Sequence, residues 1–340
     1  METTRLGRTE LTVTRTAFGA LPIQRIDMDE AKAVLRKAYE SGINFFDTAR
    51  AYTDSEEKIG HALADVRGEI ILATKTHGQD KRTVLEHIET SLRKLRTDCV
   101  DILQLHNPRT LPDPNDPDSS YSGLLEARRK GMVRFIGVTN HRIDLAKEAV
   151  DSGLYDTMQF PLSAISADKD LDLIGQCQEA DVGLIAMKAL CGGLLNNARV
   201  AFTFLRQYPN VVPIWGIQRM SELDEFLALD ADPPAMDEAM SAAVERERRE
   251  LAGDFCRACG YCLPCPQDIP IPMAARMGLL LRRAPSASFL TPEWQEKMRR
   301  IENCIDCGQC RERCPYGLDT PALLRKMLVD YEAFLAGTAS

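Results

Sequence analysis

Long runs of positive charge are missing from this sequence. Lysine and arginine together number 42 against 50 acidic residues, for a net charge of −8. No basic stretch is long enough to track phosphates, so neither nucleic acid nor an anionic membrane surface is an expected partner. Long apolar runs are missing too. Nothing approaches the roughly 20 apolar residues of a membrane span. The opening METTRLGRTELTV has none of the apolar stretch of a signal peptide, so a cytoplasmic protein without a membrane partner is expected. Cysteine is nearly absent from the first part of the chain: of 11, only Cys99, Cys177 and Cys191 precede residue 255. The other eight crowd between Cys256 and Cys314, which marks the tail as a separate chemical unit. Without an export signal, clustered thiols point to metal or cluster ligation before disulfides.

What is present is a globular composition, 44% hydrophobic and 27% charged over 340 residues, enough for one large domain and an appendage. Short β-branched or apolar runs alternate with amphipathic segments. The runs are TRTAFGA (14 to 20), INFFDTA (43 to 49), IILATKT (70 to 76), VDILQLH (100 to 106), RFIGVTN (134 to 140), TMQFPLS (157 to 163), GLIAMKAL (183 to 190) and VVPIWGI (211 to 217). Segments such as DEAKAVLRKAYES and KRTVLEHIETSLRKLR between them repeat apolar positions at three and four residues. Eight strand and helix units close a parallel (β/α)8 TIM barrel. LGRTELTV is expected as a hairpin across the barrel floor, Cys99 and Cys177 as core residues. From about residue 235 the pattern turns helical and charged. The expected organisation is a barrel over 1–234, a helical spacer over 235–254, and a small, mainly helical ferredoxin-like domain over 255–340.

Working residues of a parallel barrel sit at the C-terminal ends of strands and in the loops that follow. Asp47 ends the second run, with Tyr52 in its loop; Lys75 ends the third and His106 the fourth, while Thr139 and Asn140 end the fifth. Singly, these read as a cap, a rim aromatic, a solvated charge and a core histidine. Together they make a proton-transfer centre. A tyrosine, with its ordinary pKa near 10, needs a nearby cation to give up its proton efficiently. Lys75 would supply that cation, Asp47 would hold Lys75, and His106 would orient a carbonyl oxygen.

At these residues the sequence resembles the aldo-keto reductase family: LGRTELTV, GINFFDTARAY, TKT, LQLHNP, GMVRFIGVTNH and MQF. The resemblance implies carbonyl reduction by NADP or NAD with a tetrad of Asp47, Tyr52, Lys75 and His106. It implies that Thr139, Asn140 and Gln159 hold the nicotinamide carboxamide. Cofactor phosphates would meet the backbone after the seventh strand (Cys191, Gly192, Gly193) and from Gly216 through Gln218 to Arg219. The sequence also departs from the family. Met187, followed by Lys188, stands where many members stack a tyrosine on the nicotinamide. Glu222 takes a position commonly filled by an arginine for the adenosine 2′-phosphate, and Phe226 replaces an asparagine that contacts adenine.

In the tail, Cys304, Cys307, Cys310 and Cys314 followed by Pro315 reproduce the bacterial ferredoxin run. Cys256, Cys259, Cys262 and Cys265 followed by Pro266 repeat it with a shortened last spacer. Two 4Fe-4S clusters with crossed ligation are expected: Cys256, Cys259 and Cys262 with Cys314, and Cys304, Cys307 and Cys310 with Cys265. Four-cysteine zinc sites also use two-residue spacers and remain the alternative. A microbial subgroup of the aldo-keto reductases looks like this over its full length.

A hydride carries two electrons and each cluster ordinarily takes one, so coupling them calls for a mediator such as flavin, for which no motif is visible. Three readings follow. The protein is a carbonyl reductase or alcohol dehydrogenase exchanging electrons with a ferredoxin-type partner; an ordinary NAD(P)H reductase with structural clusters; or a nicotinamide-binding redox sensor. The turn-rich NPRTLPDPNDPDSSYSG (107 to 123) is the expected substrate loop.

Overall fold

A computed structural model describes residues 1–251, 255–283 and 286–337. Residues 252–254, at the end of the expected spacer, and 284–285 and 338–340, in the expected ferredoxin-like domain, lie outside the described residues. Two strands, β1 (Thr3–Arg5) and β2 (Thr12–Thr14), pair antiparallel as the expected hairpin. Eight parallel strands follow: β3 (Ala17–Gly19), β4 (Phe45–Asp47), β5 (Ile71–Thr76), β6 (Val100–His106), β7 (Val133–Thr139), β8 (Thr157–Pro161), β9 (Gly183–Met187) and β10 (Val211–Gly216). They form a closed barrel in sequence order, with β10 returning to β3.

Helices α1 (Met28–Glu40), α2 (Ser55–Leu63), α3 (Lys81–Leu95), α4 (Ser120–Arg129), α5 (Ile143–Asp151), α6 (Asp168–Glu179), α7 (Ala198–Arg206) and α8 (Met220–Ala231) follow β3 to β10 one by one. The chain marks their starts with short polar caps. Asp27 accepts from the Glu30 amide at 2.8 Å while Glu30 reaches back to the Asp27 amide, a reciprocal box that fixes α1. Asp80 does the same for the Thr83 amide at the head of α3. The last residues of the expected substrate loop, Ser120–Gly123, form the first turn of α4.

The hairpin plugs the barrel floor. Leu6, Leu11 and Val13 join Ala17, Phe45, Ala73, Ile102, Ile185, Val212 and Ile214 in one buried cluster. Gly183 makes this fit: a Cβ there would lie 2.7 Å from the Leu6 side chain. Cys177 is fully buried as expected, whereas Cys99 is half-buried with its thiol on the Val100 carbonyl.

The chain divides into two compact units: Met1–Ala189 with Ala198–Val244, and Leu190–Asn197 with everything from Glu245 onward. This differs from the contiguous division read from the sequence. The boundary falls inside α9 (Glu238–Glu250), and the segment after β9 partitions with the tail. Arg276 donates to the Gly192 carbonyl at 2.9 Å, and Arg283 to that of Leu194 at 2.9 Å, while its guanidinium also binds Glu247 and Glu250. Beyond α9, short helices α10 (Ile271–Ala274), α11 (Met277–Arg283), α12 (Pro292–Arg299) and α13 (Gln309–Glu312) lead to the longer α14 (Thr320–Leu335). Arg282 clasps Asp330 through two hydrogen bonds of 2.8 and 2.9 Å, tying α11 to α14. Among the described residues no helix is long and apolar enough to cross a membrane.

Candidate active site and cysteine cavities

Strand register brings the barrel candidates to one rim. Lys75 pairs with Gln104, His106 with Thr139, and Thr139 with Gln159, all near the C-terminal ends of β5 to β8. Lys75 and Asp47 are 1% and 2% exposed, and Lys75 Nζ donates to Asp47 Oδ2 at 2.5 Å and to the Thr48 carbonyl at 2.6 Å. Burial pushes the lysine's pKa down and the carboxyl's up; the attraction between them works the other way. The ammonium stands 5.3 Å from the centre of the Tyr52 ring, and the His106 ring meets Tyr52 edge-on at 5.8 Å. Burial, then the charges of Lys75 and His77, pushes His106 down to about 3, so its imidazole is neutral at ordinary pH.

Two members of this centre are given no role by the sequence reading. Gln104, fully buried, donates to Gln159 Oε1 at 2.9 Å and lies 3.4 Å from Asp47 Oδ1, fixing the carboxylate from the side opposite Lys75. Its place two residues before His106 on β6, hence on the same face, was the available signal. Glu56, 1% exposed on α2, accepts from Thr74 Oγ1 at 2.7 Å.

The nicotinamide candidates are partly committed elsewhere. Asn140 donates to the Pro108 carbonyl at 3.1 Å and accepts from the Arg142 amide at 2.8 Å, while Thr139 Oγ1 accepts from the Asn107 amide at 3.0 Å. Met187 packs against the barrel core, and Lys188 adopts a left-handed φ of 58°. Gly216 and Arg219 are exposed ahead of α8. Glu222 in the first turn of α8 accepts from the amides of Gln218 and Arg219 at 2.9 and 3.1 Å. Phe226 stacks on Trp215 with ring centres 4.3 Å apart. Gln104 Oε1 and Gln218 Oε1 are buried acceptors without a partner among the described residues, which suits a rim that takes an amide-bearing, hydrogen-bonding cofactor. Gly192 and Gly193, both at positive φ, belong to the other compact unit, as does the buried Cys191.

In that second unit the cysteines line two cavities in crossed sets. Cys256, Cys259, Cys262 and Cys314 line one; Cys265, Cys304, Cys307 and Cys310 line the other, which Cys262 also touches. The backbone repeats itself around each. Ala258 and Gly260 flank Cys259 with φ of 50° and 83°, and Asp306 and Gly308 flank Cys307 with φ of 52° and 75°. Such turns point successive amides inward, a concavity suited to an anionic iron–sulfur group. Among the described residues no three His, Cys, Asp or Glu side chains converge on a single-ion site. A zinc ion needs four thiolates within about 2.3 Å of one point. Thiols spread around two cavities, the first lined also by Ile271 and Leu318 and the second by Ile271 and Leu324, instead fit the larger cubane.

Residues 15–205 match the aldo/keto reductase family, and residues 255–319 match a 4Fe-4S dicluster domain. L-Galactose dehydrogenase of Arabidopsis thaliana is 32% identical over 216 residues, covering 58% of this chain and 68% of that protein. Among solved structures, the holo form of aldo-keto reductase AKR11C1 from Bacillus halodurans superposes with a TM-score of 0.64 at 21% identity, covering 73% of this chain and 96% of that one. An aldo-keto reductase from Klebsiella pneumoniae in complex with NADPH superposes with a TM-score of 0.63 at 21% identity, covering 72% and 94%.

Proposed function

The chain belongs to the aldo/keto reductase family, and from that premise we propose that it interconverts a carbonyl and an alcohol with a nicotinamide dinucleotide, using Tyr52 as the proton donor. The observation that carries this reading is the buried Lys75–Asp47 pair beneath the Tyr52 ring. The nicotinamide, when bound, supplies the hydride. Tyr52 delivers a proton to the carbonyl oxygen as charge develops there, and the Lys75 ammonium stabilises the phenolate left behind. Asp47, held by Lys75 and Gln104, fixes the ammonium in place. His106, kept neutral, orients the carbonyl oxygen by hydrogen bonding. Thr139, Asn140 and Gln159 would hold the carboxamide, and Gly216, Gln218 and Arg219 the cofactor's phosphates.

The dicluster domain adds one-electron chemistry. Cys256, Cys259, Cys262 and Cys314 would ligate one cluster, and Cys265, Cys304, Cys307 and Cys310 the other, a pairing supported by the two cavities. When bound, the clusters would supply one-electron transfer to or from a carrier protein. The second reading, clusters as structural staples, is favoured by the low exposure of Cys256 and Cys262, 9% each.

Tyr52→Phe tests the catalytic reading. Removing a general acid costs on the order of 10²–10⁴ in rate. Turnover of a test aldehyde should fall by that factor while quenching of protein fluorescence by NADPH is retained. Near-wild-type turnover would remove Tyr52 from the role.

A further inference from the structure

The loop between β4 and Tyr52 carries a cation that the proton-transfer centre does not use. Arg50 stands two residues before Tyr52, and its amide donates to the Lys75 carbonyl at 3.0 Å, which pins its backbone to the end of β5. The side chain is half-buried. Its Nε is a buried donor without a partner, and no carboxylate pairs with its guanidinium, among the described residues. Leaving such a group unpaired costs free energy until an acceptor arrives. Two histidines stand with it. His77, exposed and two residues past Lys75, meets the ring of His87 on α3 with centres 4.5 Å apart. The Thr76 oxygen accepts from the Gly78 amide at 3.0 Å and lies 2.8 Å from His87 Nδ1, the acceptor available to its own proton. Burial, then the charges of His77 and Arg50, pushes the His87 pKa down, which keeps that ring neutral with its proton on Nε2. Among the described residues neither His87 Nε2 nor His77 has a hydrogen-bond partner. The charge of His77 also reaches His106, which sets the cluster against the Tyr52 centre.

The carboxylates of the surrounding elements do not cancel this charge. Glu86 and Asp80, whose charges reach His87, are engaged, Glu86 with Arg82 at 2.7 Å and Asp80 with the amide and hydroxyl of Thr83. Asp47 is held by Lys75, and Asp54 by Lys58. Glu56, 1% exposed, gives one oxygen to Thr74 and makes no ion pair with Arg50. Glu57 on α2 and Asp113, Asp116 and Asp118 on the loop after β6 are exposed, where water and salt screen them.

We propose that Arg50, flanked by His77 and His87, binds a carboxylate on the substrate, so that the carbonyl compound reduced at Tyr52 is an oxo acid. The inference rests on the reading of Tyr52 as the proton donor. A planar guanidinium takes both oxygens of a carboxylate side by side, and an imidazole N–H beside it adds a further donor. The reaction leaves that carboxylate untouched. The carbonyl π bond opens, hydride from the nicotinamide goes to the carbon, the Tyr52 proton goes to the oxygen, and a hydroxy acid departs.

The test compares 4-oxobutanoate with butanal, an aldehyde of the same chain length and no charge, as substrates of the full chain with NADPH. Wild type should favour the oxo acid in kcat/KM. Arg50→Gln should lower the ratio of the two kcat/KM values by roughly ten- to hundredfold, chiefly through KM for the oxo acid, and Arg50→Lys should recover part of the loss. His77→Gln should lower the ratio by about threefold. A wild type without preference for the oxo acid, or a ratio unchanged in Arg50→Gln, would overturn the proposal. Titration calorimetry with succinate, with NADP added, separates the subsite from the chemistry: Tyr52→Phe should bind succinate as wild type does, and Arg50→Gln at least about tenfold more weakly. If neither aldehyde is turned over while succinate still binds through Arg50, the reductase reading fails and the anion subsite stands. If succinate does not bind to wild type, the subsite itself is refuted. Should Arg50→Gln fail to fold, Arg50→Lys and His77→Gln decide by the same ratio.

Discussion

Glu222 puts a carboxylate on the amides of Gln218 and Arg219, at the head of α8. An anion satisfies a helix N-terminus well, and Glu222 is already there. A 2′-phosphate arriving at the same amides meets a like charge, whereas the 2′-hydroxyl of NADH does not. Glu222→Ala should therefore lower the KM for NADPH by about tenfold relative to that for NADH, the factor expected from roughly 1–2 kcal/mol at a helix terminus. An unchanged ratio of the two KM values would mean that the phosphate does not reach α8. His106 yields a pH prediction. Its pKa falls from 6.5 in an ordinary setting to about 3, chiefly through burial. The unfolded chain then binds a proton below about 6.5 that the folded ring refuses, so the stability from the neutral ring is complete above that pH and lost as pH falls toward 3. Water around the half-buried ring reduces the size of this loss. His106→Gln should flatten the fall in thermal midpoint between pH 6.5 and 3 compared with wild type; identical slopes would show that the ring accepts its proton in place. At this scale the tetrad was legible because Asp47, Lys75 and His106 lie at the C-terminal ends of strands and Tyr52 in the loop after one of them. Gln104 was signalled only by sharing a face of β6 with His106, and Glu56, on α2, only by its contact with Thr74 on β5.

Strands and helices were the most legible level. All eight apolar runs became barrel strands, usually shortened by a residue or more at their ends, because the barrel's register and not the apolar run fixes where pairing stops. VDILQLH alone kept both of its bounds, as β6, while RFIGVTN moved by one residue, as β7. The floor hairpin was readable from LGRTELTV, but the reason it seats so deeply was not. That depends on Gly183, more than 170 residues away, leaving room for Leu6. A glycine that opens space for a distant side chain looks, in sequence, like any other glycine before a strand. The same limit explains Leu190–Asn197. Its partners Arg276 and Arg283 lie some 80 to 90 residues downstream, so no local pattern could assign it to the tail's unit. The repeated positive φ values around Cys259 and Cys307, by contrast, follow from two copies of one short cysteine motif.

For the whole molecule the question is whether the barrel's two-electron chemistry and the tail's one-electron chemistry are one system. A hydride donor gives up two electrons and a proton, and two 4Fe-4S clusters can together hold two electrons. One equivalent of NADPH is thus enough, by count, to reduce both clusters of one chain. Anaerobic titration of reconstituted protein with NADPH, followed by EPR and by absorbance, reads this directly. If the halves are coupled, reduced-cluster signals should appear and saturate near one NADPH per chain, and flavin released on denaturation would identify a mediator for splitting the pair. Clusters that stay oxidised while an aldehyde is turned over would make the tail a staple. In that case removal of iron by a chelator should lower the thermal midpoint and leave turnover per folded barrel intact. In the coupled case the same removal should abolish reduction of an external carrier while direct aldehyde reduction by NADPH persists, because Tyr52, Lys75, Asp47 and His106 all lie in the barrel unit. The two outcomes differ in electrons delivered outside the protein, a quantity that a purely structural cluster cannot change.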